Sequence, residues 1–532
     1  MHMATGALWD TMGRRSFLRR LGIGALGASA GVALSGCAVS QVGAAVATAL
    51  RRPVRLTLGI RAMDAQTGLR ERLTAALHAA EPITGTRYQA QFVLLDQPPV
   101  AWFPQVPGPS PAGPPPPPPL VNDPTIPMPD AVLLPHDVID GFLAVRALDL
   151  QPILALRQPG PAPQSLLRQG RAYAPGRGTI QAGLPLLRVP MVCALDPATS
   201  SAGSAWTLGA FAAALAALAP AFPAPAGPLA YAPFAGDPEA GLLNPVPQPL
   251  AGATLAAALA VGFGSVLART TATLCAPAFT SASTEVALLQ GLSWARSTPP
   301  YEGQCGGPVN ARFGIFLGVY PWATGQVERV VMPPPPAGQP APAPLPANMG
   351  LPVPMSTAGG HWRLRPLPAF PSRPAVPTRN YDLMLWRDGP HVSALLPLAF
   401  ALLTAEPQSE LALWGRALAV HERVAVGQLA GVWATAADAH LLATSAHDIT
   451  PEDAWGTETD DNAQPYRRVR SALEGALLAL TGLRGGFAQY DSAPGDAPPV
   501  ACRPPLVATT GPDAWRAAFR NAAVSALGLP GR

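Results

Sequence analysis

The order of strand-like and helix-like segments in the first third of this chain limits the folds that it can adopt. Residues 54–60 alternate in polarity as a strand does, residues 66–80 place apolar side chains on one helical face, and residues 88–95 predict a second strand. A short buried strand at 130–134 and a helix over 138–147 are predicted next. This order predicts an α/β fold whose parallel sheet is covered on both sides.

The remainder of the chain continues the pattern and becomes mostly helical. Further strands are predicted at 186–195, 312–320 and 381–386. Helices are predicted from a cap at Ser204 and over 251–268, 283–297, 393–404, 407–420, 422–443, 466–482 and 513–527. Two proline-rich stretches, 97–129 and 333–358, predict extended surface segments, because proline fixes φ and has no amide hydrogen.

Composition excludes several classes of protein. Charged residues make up 13% of the chain against about 25% in an average domain, while 48% of residues are hydrophobic, which is enough for a sizeable core. All 36 basic residues are arginine, the net charge is only +4, and no basic tract is present. A nucleic-acid-binding protein and a disordered tail-type protein are therefore both disfavoured.

The first forty residues contain two motifs of exported proteins. The segment that begins with Arg14 and Arg15 (R-R-S-F-L-R) resembles a twin-arginine export signal. An apolar run over 21–33 follows, and it is too short to span a bilayer of about 30 Å. It ends in L-S-G-C, which resembles a bacterial lipobox with Cys37 as the acylated residue. The resemblance implies a lipoprotein anchored to the outer face of the cell membrane.

Four cysteines follow Cys37. They are Cys193, Cys275, Cys305 and Cys502, and they allow three pairings that the sequence does not distinguish. Disulfides are permitted outside the cell membrane, but a twin-arginine substrate folds before export, so free thiols are an equal alternative. No C-x-x-C spacing is present, and no metal site is predicted.

Several short segments together resemble the extracellular solute-binding proteins of ABC importers, in particular the sugar-binding, maltose-binding-like group. The segments are Asp130 to Asp137, Trp206 to Leu208, Gly314 to Ala323, Leu364 to Pro371, Glu406 to Glu410, and Tyr466 with the helix after it. The resemblance implies a type II periplasmic-binding-protein fold, in which two α/β lobes enclose an interlobe cleft. The expected organisation is a signal over 1–37, a linker over 38–52, a first lobe over 53–195, a second lobe over 196–330, a return to the first lobe over 331–405, and a helical part of the second lobe over 406–532.

The same resemblance implies a set of ligand-binding residues. Asp137 follows the third strand where the family contacts its ligand, Trp322 follows a strand where the family stacks an aromatic ring, and Tyr466 corresponds to a further stacking ring. His136 and Tyr320 adjoin them. Aromatic faces suit the C–H face of a sugar, and carboxylates suit its hydroxyls. The alternatives are a helix cap for Asp137, core packing for Tyr320 and Trp322, and ordinary surface or loop positions for Tyr466 and His136.

The implied function is capture of a small solute, with a carbohydrate as the first expectation, by hinge closure and delivery to ABC permease subunits. A monomer without cofactor, metal or nucleic-acid partner is expected. An enzyme is not, since His421-Glu422 lacks the second histidine of a zinc protease and no catalytic triad is recognisable. The alternatives are a surface lipoprotein that keeps the fold as a scaffold or adhesion module and, as the weakest, an exported hydrolase.

Overall fold

A computed structural model gives the structure of the chain. It describes residues 53–61, 64–65, 67–95, 129–136, 139, 141–156, 169–196, 206–221, 229–232, 259–278, 282–297, 314–320, 362–372, 378–444 and 451–470, with 517, 521 and 524. Contacts divide the chain into one unit of Met1–Pro53 and Glu81–Arg87 and another of Val54–Ala80 and Tyr88–Arg532. All contacts discussed below lie within the second unit. The predicted export signal and almost all of both proline-rich stretches lie outside the described residues.

The first third of the chain contains the predicted strands with nearly the predicted bounds. The elements are β1 (Val54–Arg61), α1 (Leu69–Thr84), β2 (Tyr88–Leu95), β3 (Ala131–Pro135), α2 (Gly141–Ala144), α3 (Gln151–Leu156), β4 (Arg171–Ala174), β5 (Gly178–Gln181) and β6 (Leu184–Leu195). The hairpin of β4 and β5 is absent from the sequence prediction. The apolar stripe that predicts α1 is buried, with Leu69, Leu73, Ala76 and Leu77 on its inner face.

The rest of the chain alternates short strands with helices. The elements are α4 (Leu208–Leu218), β7 (Leu229–Ala232), β8 (Ala268–Thr270), β9 (Cys275–Pro277), α5 (Ala282–Ser297), β10 (Ile315–Val319), β11 (Arg363–Arg365), β12 (Thr378–Leu385), α6 (Val392–Ala401), α7 (Ala405–Ala412), β13 (Leu418–Ala419), α8 (Glu422–Leu429), α9 (Ala436–Thr444) and α10 (Pro451–Trp455). A mixed α/β fold is therefore confirmed for the described part of the chain.

Two of the predicted long helices are broken. The segment 407–420 leaves the helix after Ala412, and Gly415 takes a positive φ of 73°. The segment 422–443 forms α8 and α9, with Gly431 at a φ of 84° between them. Such backbone angles favour glycine and end a helix.

Two further predictions about helix ends are corrected. The helix predicted over 251–268 is wrong at its end, since residues 268–270 form β8. The cap of α4 is Thr207 rather than Ser204, because the Thr207 Oγ1 accepts a 3.2 Å hydrogen bond from the Ala210 amide.

One sheet connects nine of the described strands. Its order is β2-β1-β3-β12-β6-β10-β7, with β11 and β13 also pairing with β6. The pairs β1–β2 and β1–β3 are parallel, as predicted. The sheet is not parallel throughout, because β12 runs antiparallel to both β3 and β6, whereas β7 and β10 are parallel. Consequently the first part of β6 runs parallel to β1 and β3.

Strand β6 is buried along all twelve residues and has different partners at its two ends. Residues 184–190 pair with β12, while residues 191–195 pair with β10. In the second stretch Val192 and Ala194 belong to one buried cluster, and Met191, Cys193 and Leu195 belong to another. This alternation follows from the two-residue period of a strand, which sends successive side chains to opposite faces.

The core has three buried clusters. Cluster one holds Leu58, Leu133, Leu187, Leu395 and Leu442 among others, and cluster two holds Phe211, Ile315, Phe370 and Trp455 among others. A smaller cluster contains Val132, Leu143 and Met384 on the other face of the sheet. Most of the buried residues between 411 and 443 pack in cluster one, whereas Trp455 and Val469 pack in cluster two.

Two of the four later cysteines are described, and both are free thiols. Cys193 is fully buried, and burial raises the pKa of its thiol; burial also raises the pKa of Cys275 to about 11. At pH 8 only about one Cys275 thiol in a thousand is then the reactive thiolate.

We therefore expect iodoacetamide at pH 8 to leave Cys193 unmodified in the folded protein and to modify Cys275 slowly, as read by peptide mass spectrometry. Unfolding in guanidinium should expose both thiols to rapid modification. Rapid labelling of Cys193 in the folded protein would contradict its placement in the core.

Candidate functional site

Two parallel strands, β1 and β3, end at one edge of the sheet, and β6 passes the same edge; each carries a basic residue there. The register pairs Ile60 with Leu133, and it pairs Tyr381 with both Pro135 and Leu187. Arg61 and His136 therefore lie at the carboxyl ends of β1 and β3, and Arg188, within β6 (Leu184–Leu195), lies at a neighbouring level. Strands β2 and β3 lie on opposite sides of β1. A crevice forms outside the carboxyl ends of strands at such a switch in strand order, and it is the usual ligand site of an open α/β sheet.

Arg61 is held in a fixed position at this edge. Its Nε and Nη2 donate to the two carboxylate oxygens of Asp64 at 2.8 and 2.9 Å, and Nη2 also donates to the Tyr381 hydroxyl at 2.8 Å. Asp64 is only 2% exposed. The fork of two parallel charge-assisted bonds fixes the guanidinium plane more tightly than a single contact would.

An open cleft adjoins this pair. The Tyr381 ring meets the Trp414 ring edge to face, with centroids 5.4 Å apart, and the Trp414 Nε1 donates to the Thr67 hydroxyl at 3.1 Å. The cleft has a volume of about 410 Å³ and is lined by Ala65, Thr67, Gly68, Glu71, Arg72, Leu413 and Trp414. Pockets for small solutes span roughly 300–1,000 Å³. The lining combines an aromatic ring, an arginine, a carboxylate and a hydroxyl.

His136 at the end of β3 is paired with a buried acid. Its Nδ1 lies 2.7 Å from the Oδ2 of Asp382, which is fully buried. The backbone beside them is closely packed, because a Cβ on Gly183 would lie 2.6 Å from the Cβ of Asp382. Only glycine fits at this position without displacing the acid.

Arg188, the fifth of the twelve residues of β6, is completely buried. Its Nε donates to the Ala419 carbonyl at 3.2 Å. Burial lowers the pKa of Arg188 to about 9, and the negative charge of Glu422 partly opposes that shift.

The residues predicted from the sequence have different locations. His136 lies at the sheet edge, Tyr320 is buried in cluster one, and Tyr466 is buried in cluster two. Burial raises the pKa of both phenols, that of Tyr466 to about 12. The structure therefore does not bring these two tyrosines together in one cluster. Asp137, Trp322, Cys37, Arg14 and Arg15 lie outside the described residues.

The ligand-binding residues predicted from the sequence do not include Arg61, Asp64, Arg188, Tyr381 and Trp414. Two signals were available. Arg188 is the only charged residue in the twelve-residue apolar run of β6, and Arg61 ends an alternating strand three residues before Asp64. Neither signal shows which distant strand completes the edge.

The described ranges contain neither a candidate metal centre nor a membrane-spanning helix. No group of three or more histidine, cysteine, aspartate or glutamate residues there could hold a metal ion. None of the helices described there is long and apolar enough to cross a membrane.

Comparisons with known proteins give similarity in structure but none in sequence. No protein-family profile matches the chain. No curated protein matches it either. Among solved structures, the chain is similar to an ABC transporter solute-binding protein from Agrobacterium radiobacter K84 in complex with ribitol, with a TM-score of 0.48, 10% sequence identity, and coverage of 90% of this chain and 100% of that chain. At this TM-score the similarity carries no argument about function.

Proposed function

We propose that this chain is an extracytoplasmic solute-binding protein that captures a small solute at the edge of the sheet where β1 and β3 end and β6 passes. The observation that carries the proposal is the placement of Arg61, His136 and Arg188 at neighbouring levels of the sheet, together with an open cleft that adjoins Arg61 through Tyr381 and Trp414. This is the place where open α/β sheets bind ligands. The motifs that resemble solute-binding proteins of ABC importers support the same function independently.

The chemistry of the cleft fits binding of a hydroxylated solute. The Trp414 ring offers an apolar face, while Thr67, Glu71 and Arg72 offer a hydroxyl, a carboxylate and a guanidinium. Such a combination packs against C–H groups and fixes hydroxyls by hydrogen bonds. A carbohydrate or polyol is the class of solute that these groups recognise best.

The proposed cycle has an open and a closed state. In the two-lobe arrangement, a solute bound at this edge is enclosed when a second lobe approaches it, and the contacts to both lobes stabilise the closed state. Asp137, Trp322 and Tyr466 remain the residues predicted to complete the clamp. The closed form then docks on ABC permease subunits, while acylated Cys37 keeps the protein at the outer face of the membrane after export through the Arg14-Arg15 signal.

A thermal-shift screen of the purified protein against sugars, polyols and short peptides tests this function. A solute at about 100 times its dissociation constant should stabilise the fold by about 2.7 kcal/mol, which raises the melting temperature by several degrees. If no compound in the library raises the melting temperature, solute binding is overturned and the scaffold alternative is favoured.

Replacing the tryptophan of the cleft locates the site. We expect Trp414→Ala to weaken binding of the best solute by about tenfold or more, because the ring face is lost. Isothermal titration gives the affinities, circular dichroism verifies the fold, and Leu441→Ala on the exposed face of α9 serves as the control. An unchanged affinity for Trp414→Ala, combined with a large loss for Trp322→Ala, would move the site to the residues predicted from the sequence.

A further inference from the structure

Arg188 places a positive charge inside the protein without a hydrogen-bonded counterion. Its side chain is 0% exposed, and its Nε donates to a backbone carbonyl. Neither Nη1 nor Nη2 has a hydrogen-bond partner in the part of the chain that the structure describes. A buried charge is normally paired and hydrogen-bonded, because removing it from water is unfavourable.

The negative charge of Glu422 acts on Arg188, but Glu422 does not form an ion pair with it. Glu422 influences the charge of Arg188, but its carboxylate lies 3.2 Å from the Nδ1 of His440, and its side chain is 39% exposed. The other two basic residues at the same sheet edge differ in this respect. Arg61 is paired with Asp64, and His136 is paired with Asp382.

A second unsatisfied polar group lies directly opposite Arg188. Asn380 on β12 is its cross-strand partner, so both side chains leave the sheet on the same face. The Asn380 Nδ2 donates to the Gln169 Oε1 at 2.6 Å, which directs Oδ1 away from Gln169. Among the described residues this Oδ1 has no donor. Two donors without acceptors and one acceptor without a donor therefore belong to cross-strand neighbours on β6 and β12.

We propose that the captured solute is a 2-hydroxycarboxylate, such as a sugar acid, whose carboxylate binds the Nη1 and Nη2 of Arg188. Its neighbouring hydroxyl donates to the Asn380 Oδ1. The proposal rests on the proposed function and names its solute class. A guanidinium presents two parallel donors that match the two oxygens of a carboxylate. Because both groups are buried, the solute reaches them in an open conformation and is enclosed on closure.

Isothermal titration of the purified protein with matched pairs of compounds tests the solute class. The probes are gluconate, galactonate, glycerate and lactate, each compared with its uncharged polyol, for example glucitol for gluconate. We expect the best acid to bind at least about 100-fold more tightly than its polyol, since each loss of a buried charge partner is strongly unfavourable.

The variant Arg188→Met tests the residue. Replacing an unpaired buried charge with an apolar side chain of similar length should leave the melting temperature of the ligand-free protein unchanged or raise it. The same variant should lose at least about 100-fold in affinity for the acid and keep its affinity for the polyol. Arg188→Lys keeps the charge but not the fork and should retain an intermediate affinity. Arg387→Met removes the same charge from an exposed position and is the control.

The outcomes separate the two proposals. If polyols bind as tightly as acids, or if Arg188→Met binds the acid normally, the role of Arg188 is overturned and solute binding stands. If none of the acids binds while a neutral sugar does, the solute class is overturned and solute binding again stands. If nothing binds in this panel or in the wider screen, both proposals are overturned.

Discussion

Replacing Gln408 with leucine should lower the free energy of unfolding by about 3–5 kcal/mol. Gln408 is fully buried on α7, and its amide group makes four hydrogen bonds to the backbone. The Nε2 donates to the carbonyls of Leu186 and Leu402 at 3.1 and 2.8 Å. The Oε1 accepts from the amides of Val420 and His421 at 2.8 and 3.2 Å. Leucine fills the same space and leaves four backbone groups buried without partners, each at a cost of about 1–3 kcal/mol with incomplete additivity.

Urea unfolding monitored by circular dichroism measures this effect. The neighbouring Ser409→Ala is the matched control, because the Ser409 hydroxyl is exposed and bonds only to the Ala405 carbonyl of its own helix. Its free energy of unfolding should change little. A loss below about 1 kcal/mol for Gln408→Leu would show that the four backbone groups find other partners or water.

Replacing Asp64 with alanine should destabilise the protein by about 3 kcal/mol or more. The change removes both carboxylate hydrogen bonds of Arg61 at a position where its side chain is 15% exposed. Removing one partner of a buried ion pair typically costs about 3–5 kcal/mol, because the other charge stays buried and unpaired. The partial exposure of Arg61 puts the expected value at the lower end.

A double-mutant cycle separates the ion pair from packing. The variant Arg61→Met removes the positive charge that Asp64→Ala leaves without its carboxylate partner. The double variant should therefore be more stable than Asp64→Ala alone. Asp388→Ala breaks an exposed pair with Arg387 and should have little effect. Strict additivity of the two single changes at positions 61 and 64 would contradict the pairing.

The sequence best predicted those helices and strands whose structure depends on local residues alone. The alternation in β1 and β2 and the apolar stripe of α1 predicted those elements within a few residues, because burial of one face is a local property. The helix breaks at Gly415 and Gly431 were missed. The segments around them are rich in alanine and leucine, which favour helix throughout, so the turn geometry is set by tertiary packing instead.

The candidate site was harder to predict because it joins distant parts of the chain. His136 was predicted at the end of β3, and the structure places it there. The contacts of Arg61 with Tyr381 and of Thr67 with Trp414 cross 320 and 347 residues. A single sequence carries the residue types of such a site but not the pairing of β12 between β3 and β6 that assembles it.

The alternation of side chains along the second half of β6 has a consequence for recombination. Val192 and Ala194 complete one core, and Met191, Cys193 and Leu195 complete the other. The two cores therefore meet along the length of this strand, and no single position in the sequence separates them. A crossover between related genes within this stretch would therefore bring together residues of both cores from different parents, because successive side chains alternate between the two cores.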